Sequence, residues 1–341
     1  EQYSKNILVE AVDLRGFIDA DLDKKVETIK EYDLYCYWMF KSTDAIENYN
    51  TAKKLKIKYP KSIHVAGGTH VEMMPEESAN FFDAIIIGPG EYSFKKVVDD
   101  IQQNNLQKIY QQEWKEVPFR DTPFPRRDFL PKDHVVNNNL FNAYGGALST
   151  MVYFSRGCHY RCGFCTLNVP GELQIRSPEM VKSEIKYLKE NYNVQAILLK
   201  DEIAIHPNEK HSTPLLEAIG ESDIIWRGQG TSQVSYDQLK LAYDSGCKEM
   251  AVGVETLDGN VMKIINKGWQ TEKQILEFVS NAKKIGIKIK MCLIFGLPGE
   301  KDNIAEKTIE FIEKNDIDYV NVSGFAPMPG SPIFKDLKRY G

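Results

Sequence analysis

Short apolar runs alternate with stretches of helical period along the 341 residues. In the first hundred residues, Asn6–Val12, Asp33–Phe40, Ser62–Ala66 and Ala84–Gly88 have the length and apolar content of buried strands. Between them, Asp21–Glu31, Asp44–Tyr59 and Tyr92–Gln103 space their apolar residues as amphipathic helices do. This alternation with short connections predicts a doubly wound parallel sheet over residues 1–105. Residues 106–149 are expected to be a linker. Within them Pro118-Phe119-Arg120-Asp121-Thr122-Pro123-Phe124-Pro125 cannot sustain a helix, because proline lacks the N–H donor and restricts its predecessor.

From residue 150 to 341 the alternation resumes. Strands are predicted at Met151–Phe154, Ala196–Leu199, Ile224–Trp226, Glu249–Val254, Lys288–Phe295 and Tyr319–Gly324. Helices are predicted at Ser177–Glu190, His211–Ile219, Tyr236–Asp244, Glu272–Ile285 and Asn303–Asn315. Six βα units are too few to close an eight-stranded barrel.

Chemistry concentrates where such strands end, since parallel sheets bind ligands beyond their carboxyl edges. Two glycine-rich loops fall there in the first half, Gly67-Gly68-Thr69-His70 and Gly88-Pro89-Gly90-Glu91. On composition alone they are tight turns; glycine also lets backbone come close to a ligand. In the second half, Cys158, Cys162 and Cys165 lie on one short loop, Cys158-His159-Tyr160-Arg161-Cys162-Gly163-Phe164-Cys165. Three thiolates so spaced can hold three corners of a [4Fe–4S] cluster and leave one iron open. Structural zinc favours paired Cys-x2-Cys knuckles with a second pair elsewhere, and Cys36, Cys247 and Cys292 are isolated. Those three are expected to be small buried apolar side chains. A disulfide would need an oxidising compartment and would leave one of the clustered cysteines over.

Composition narrows the class only modestly. A net charge of −5 without a long basic run favours neither nucleic acid nor an anionic membrane surface. No apolar stretch approaches the roughly 20 residues of a membrane span, and no signal-peptide pattern opens the sequence. The cysteine usage fits a reducing cytoplasm.

The cysteine loop, with the aromatic Phe164 ahead of its third cysteine, resembles that of the radical S-adenosylmethionine (SAM) enzymes. The resemblance extends along most of the chain. Gly253-Val254-Glu255-Thr256 is similar to the family's G-[IV]-E-[ST] segment, and Gly296-Leu297-Pro298-Gly299-Glu300 to its strand-end turn. Ala326-Pro327-Met328-Pro329-Gly330-Ser331-Pro332 resembles a further segment of these relatives. The glycine loops, with Pro75-Glu76-Glu77 between them, look like the cobalamin-binding domain found ahead of many radical SAM modules.

The resemblance implies a Rossmann-like (flavodoxin-like) cobalamin-binding-type domain followed by a partial (β/α)6 TIM-like barrel. It implies a [4Fe–4S] cluster on Cys158, Cys162 and Cys165, with SAM on the open iron and against Phe164, Glu255, Gly296, Pro298 and Gly299. Cobalamin would lie against Gly67, Gly68, Gly90 and Glu91. Lys200-Asp201-Glu202 would face SAM or substrate, Arg227 would follow the third strand and pair a carboxylate or sit at the surface, and Asn266-Lys267-Gly268 would end a helix. One departure stands out: the cobalt-ligating His loop of the related methionine-synthase-type domain would fall before residue 1, and Asp13-Leu14-Arg15-Gly16 lacks a histidine. The first βα unit of that domain is therefore expected to be missing.

The implied activity is reductive cleavage of SAM to a 5′-deoxyadenosyl radical. That radical would serve cobalamin-dependent C-methylation, or a rearrangement or cyclisation, at an unactivated carbon. Implied partners are a small-molecule or natural-product substrate and an electron donor such as flavodoxin or ferredoxin. The alternatives are a cobalamin-independent radical SAM enzyme with a vestigial first domain, a non-catalytic iron–sulfur electron carrier, and a zinc-stabilised binding module.

Overall fold

A computed structural model describes residues 7–14, 19–166 and 173–340. They form two compact units. The first runs through Val117 and takes in Thr166 and Pro329–Ser331; the second is the remainder from Pro118.

In the first unit, β1 (Leu34–Trp38), β2 (Ile63–Gly67), β3 (Ala84–Ile87) and β4 (Ile109–Gln111) lie side by side in that order, all parallel. The helices are α1 (Asp19–Glu27), α2 (Ala45–Lys58), α3 (Thr69–Met73), α4 (Pro75–Ala79) and α5 (Gly90–Gln102). Successive strand side chains point to opposite faces. Ala66 and Ile85 therefore join Ala45, Tyr49 and Ala52 of α2 on one face. Val65, Ala84 and Ile86 meet Val97 of α5 and Tyr110 on the other. Both faces are covered by helices, yet the described strands run in sequence order with no reversal.

Two local expectations change here. Residues 7–12 form no strand, and Leu8 is 80% exposed (Asn6 lies outside the described residues). An apolar run becomes a strand only where a neighbour takes up its backbone donors and acceptors, and no described strand pairs with this one. Conversely, β4 falls inside the expected linker 106–149; three residues are too few to show a period.

The second unit contains β5 (Ser149–Val152), β6 (Ser155–Arg156), β7 (Gln174–Ile175), β8 (Ala196–Leu199), β9 (Ile225–Gly230), β10 (Cys247–Glu255), β11 (Lys288–Phe295) and β12 (Tyr319–Gly324). Six of these form one parallel sheet in the order β12-β11-β10-β9-β8-β5, so each strand lies beside the next one in sequence. β6 and β7 form a separate two-residue antiparallel ribbon. The helices are α6 (Lys132–Val135), α7 (Pro178–Tyr192), α8 (Glu209–Gly220), α9 (Tyr236–Asp244), α10 (Gly259–Ile264), α11 (Glu272–Ile285), α12 (Ile304–Lys314), α13 (Pro332–Lys335) and α14 (Leu337–Tyr340).

Their boundaries have local causes. Ser235 and Gln238 form a capping box at the start of α9, as Thr271 and Gln274 do for α11. Gly286, at φ +100°, ends α11 in the left-handed conformation glycine takes most easily. Ile275, Phe278 and Val279 of α11 pack in one core with Val252, Val254, Ile289 and Met291, each side chain contributing about 1.5–3 kcal/mol. The opposite face of β10 carries Glu249, Ala251, Gly253 and Glu255. Apolar residues thus bind sheet to helices, and polar ones are left on the face that carries the candidate site.

Candidate functional site

The cysteine loop leaves β6 and returns through β7, with residues 167–172 outside the described structure. Gly157, at φ +117°, turns the chain into it. Further along, Gly163 N–H donates to Ile265 O at 2.7 Å, and Gly163 O accepts from Ile333 N–H at 2.9 Å. Asn266 Nδ2 donates to Arg161 O at 2.6 Å. Tyr160 stacks on Trp269 with centroids 3.7 Å apart. The loop is therefore fastened to the end of α10 and to the segment after it. Cys158, Cys162 and Cys165 are partly exposed thiols in no disulfide. Burial pushes the Cys162 thiol up to about 11, with Lys267 acting in the opposite sense. Phe164 turns toward the apolar cluster of Val261, Ile265, Leu297 and Ile333.

Glu255 ends β10 in a strained conformation. Its φ is +67°, a left-handed value that costs a non-glycine residue about 1–3 kcal/mol. The register against β11 slips between Gly253 and Glu255, so Val254 is an extra residue in the strand. The bulge directs the Glu255 carboxylate to Lys267, whose Nζ lies 2.8 Å from Oε1. The Lys267 side chain is buried and that of Glu255 largely so, 5% and 11% exposed. Lys267 Nζ also stands 5.4 Å from the Trp269 ring centre and 5.9 Å from that of Phe164, within range of cation–π attraction. A β-carbon on residue 253 would come within 2.6 Å of Glu255 Oε1 and 3.1 Å of Lys267 Nζ. Glycine at 253 is what leaves room for the pair.

Beyond β11, Gly296 and Gly299 take φ of +86° and +79°. Gly296 N–H donates to the Glu300 carboxylate, and Leu297 is buried in the cluster that also holds Phe164. The backbone of Gly296, Pro298 and Gly299 thus forms a fixed turn at the carboxyl end of β11.

In the first unit the glycine loops follow β2 and β3 at the carboxyl edge of that sheet. Gly68 has φ +106°, and a β-carbon there would lie 2.8 Å from Met39 O. Gly88, also left-handed, donates its N–H to Glu72 Oε1 at 2.8 Å. Gly90 opens α5 with nothing within 4 Å of its β-carbon position, and Glu91 follows in the first turn. His70 is not available to a ligand: its ring nitrogens lie 2.8 Å from Tyr49 Oη and 2.9 Å from Ser42 Oγ.

Several sequence expectations are corrected. Arg227 does not follow the third strand but lies within β9; its Nη1 stands 3.6 Å from Glu249 Oε1, which Lys290 Nζ also approaches to 2.9 Å. Asp201 faces no open space: it is fully buried and accepts hydrogen bonds from backbone leading into the cysteine loop. Of the isolated cysteines only Cys247 is buried; Cys36 is exposed and Cys292 half-buried. Lys267 does help to end α10, through its N–H to Met262 O at 2.7 Å. Its side chain is the site residue that sequence reasoning missed. The available signal was an acidic strand end, Glu255, with no cation beside it in sequence.

The Radical SAM superfamily model matches residues 152–312. The chain is 28% identical over 93% of its length to a protein of Pyrococcus horikoshii named as an uncharacterized methyltransferase, covering 72% of that protein. It is 22% identical to the bacteriochlorophyllide d C-8(2)-methyltransferase of Chlorobaculum tepidum, over 95% of this chain and 72% of the relative. In fold it is similar to the radical SAM methyltransferase TsrM of Kitasatospora setae, solved with cobalamin and a [4Fe–4S] cluster bound. That likeness has a TM-score of 0.73 at 15% identity and covers 91% of this chain and 67% of TsrM. The cobalamin-dependent radical enzyme OxsB gives a TM-score of 0.66 at 15% identity, with 93% of this chain matched to 48% of OxsB. Residues 152–312 therefore form a radical SAM domain, and the protein is an enzyme. Among the described residues no helix is long and apolar enough to cross a membrane.

Proposed function

We propose that this radical SAM enzyme is a cobalamin-dependent methyltransferase acting at an unactivated carbon of a small molecule. The observation that carries the reading is the conjunction of the Cys158–Cys165 loop with the Glu255–Lys267 pair, whose Lys267 Nζ stands 5.9 Å from the Phe164 ring centre in that loop. Relatives named methyltransferases and the fold of TsrM support it.

The residues suit the groups the family uses. Three thiols sit on one loop fastened at Gly163 and Tyr160. A cube of several irons takes each thiolate on its own iron. Glu255 and Lys267 present one carboxylate and one ammonium, which complement the ammonium and carboxylate of the amino-acid end of SAM. The Gly296–Gly299 backbone would border the adenine, and Phe164 would shield it from water. In the first unit, Gly67, Gly68 and Gly90 offer backbone without side chains to a corrin tail, with Glu91 beside them. When bound, the cluster, SAM and cobalamin supply the electron, the 5′-deoxyadenosyl radical and the methyl group.

Anaerobic expression with hydroxocobalamin, followed by a visible spectrum and by incubation with dithionite and SAM, tests the reading. Corrin bands together with 5′-deoxyadenosine are expected. Deoxyadenosine without corrin bands after saturation would leave the cobalamin-independent enzyme. Rearrangement or cyclisation in place of methyl transfer would show as product of unchanged carbon count.

A further inference from the structure

Two carboxylates at the end of β8 hold the stretch of chain that enters the cysteine loop. Asp201 is fully buried. Its Oδ1 accepts from Phe154 N–H at 2.9 Å, and its Oδ2 accepts from Ser155 N–H at 2.8 Å and from the Ser155 hydroxyl at 2.6 Å. Glu202 Oε2 accepts from Gly157 N–H at 3.0 Å. Gly157 is the residue before Cys158. The backbone donors of residues 154, 155 and 157 are thus taken by side chains from another strand end. The β6–β7 ribbon that accompanies them is only two residues long on each side and could not fix this path alone.

Burying a carboxylate is costly unless its oxygens are hydrogen-bonded, so the three donors to Asp201 are a built arrangement. They require both oxygens to act as acceptors, a demand that asparagine, with one acceptor and one donor, cannot meet. We infer that Asp201 and Glu202 are positioning residues that set the path of the chain into Cys158, and so act on the iron site through that cysteine without touching SAM or substrate. The inference rests on the proposed cluster at Cys158, Cys162 and Cys165. It replaces the expectation that these acids face the ligands.

The test compares wild type, Asp201→Asn, Glu202→Gln and Glu202→Ala after anaerobic reconstitution. It measures iron per chain, the rate of iron release to a chelator, the electron paramagnetic resonance signal of the reduced protein, and far-ultraviolet circular dichroism. Outer-shell partners of metal ligands are typically worth about 10–100-fold in affinity. Asp201→Asn should therefore release iron at least about tenfold faster, with a shifted resonance signal and unchanged dichroism. Glu202→Gln keeps an acceptor for Gly157 N–H and should behave as wild type; Glu202→Ala should not. A folded Asp201→Asn with wild-type release and signal would overturn the inference. If Asp201→Asn does not fold, the Glu202 pair decides: faster release from Ala than from Gln supports the inference, and equal rates overturn it. A wild type that takes up no iron would defeat the cluster reading itself, and all four proteins would then look alike.

Discussion

Lys267 Nζ lies 2.8 Å from Glu255 Oε1 across a space that exists because residue 253 has no side chain. Gly253→Ala would drive a β-carbon into that contact. The atoms in its way are the movable ends of two side chains, so a small loss of stability is expected, together with weaker SAM binding as the pair shifts. Urea unfolding and equilibrium dialysis with SAM check both; an alanine variant as stable and as tight as wild type would show that the pair can lie elsewhere.

The pair should also be strongly coupled. Lys267→Met leaves a buried carboxylate without its cation, a change that costs about 3–5 kcal/mol. Adding Glu255→Gln removes the stranded charge and should recover part of that loss. A double-mutant cycle by chemical denaturation measures the coupling, and additive losses would contradict it.

Much of this architecture can be derived from sequence. β11, β12, α9 and α11 occupy the predicted residues, and in α9 and α11 the amphipathic period opens on a capping box. The cysteines were also visible, by their spacing on one loop, and Glu255 as a carboxylate that makes little sense at the end of an apolar strand without a partner. The partner was not. Lys267 is twelve residues on, past a helix, and only the bulge and the end of α10 bring the two together. The placement of Asp201 was hidden similarly, since two of its three donors are backbone groups of residues 154 and 155, which no side-chain pattern reveals.

Gly68 and Gly90 separate fold from ligand in the first unit. Gly68→Ala meets Met39 O and a left-handed φ, and should cost stability whether or not anything binds. Gly90→Ala has nothing within 4 Å and should melt as wild type does. If corrin approaches Gly90, that same substitution should lower cobalamin affinity. Melting curves and a cobalamin titration distinguish the two effects.

Acid should weaken the first unit through its buried histidines. Burial holds His64 and His70 below the ordinary imidazole value of 6.5. As pH falls through about 6.5, the unfolded chain takes up protons that the folded chain resists, so the stability these groups leave intact above that pH is lost below it. Asp201, pushed up to about 7 by burial, contributes in the opposite sense as pH rises toward neutrality. The informative quantity is therefore the difference between wild type and His64→Gln/His70→Gln. The double variant should show a flatter decline in melting temperature between about pH 7.5 and pH 5, and parallel curves would contradict this.

The most direct measurement is anaerobic reconstitution of wild type and of Cys158→Ala, Cys162→Ala and Cys165→Ala, with iron analysis and 5′-deoxyadenosine assayed after dithionite and SAM. Wild type should hold about four irons per chain and form deoxyadenosine, and each alanine variant should lose both. Full iron content and deoxyadenosine formation in any one of the three variants would contradict the placement of the cluster on this loop.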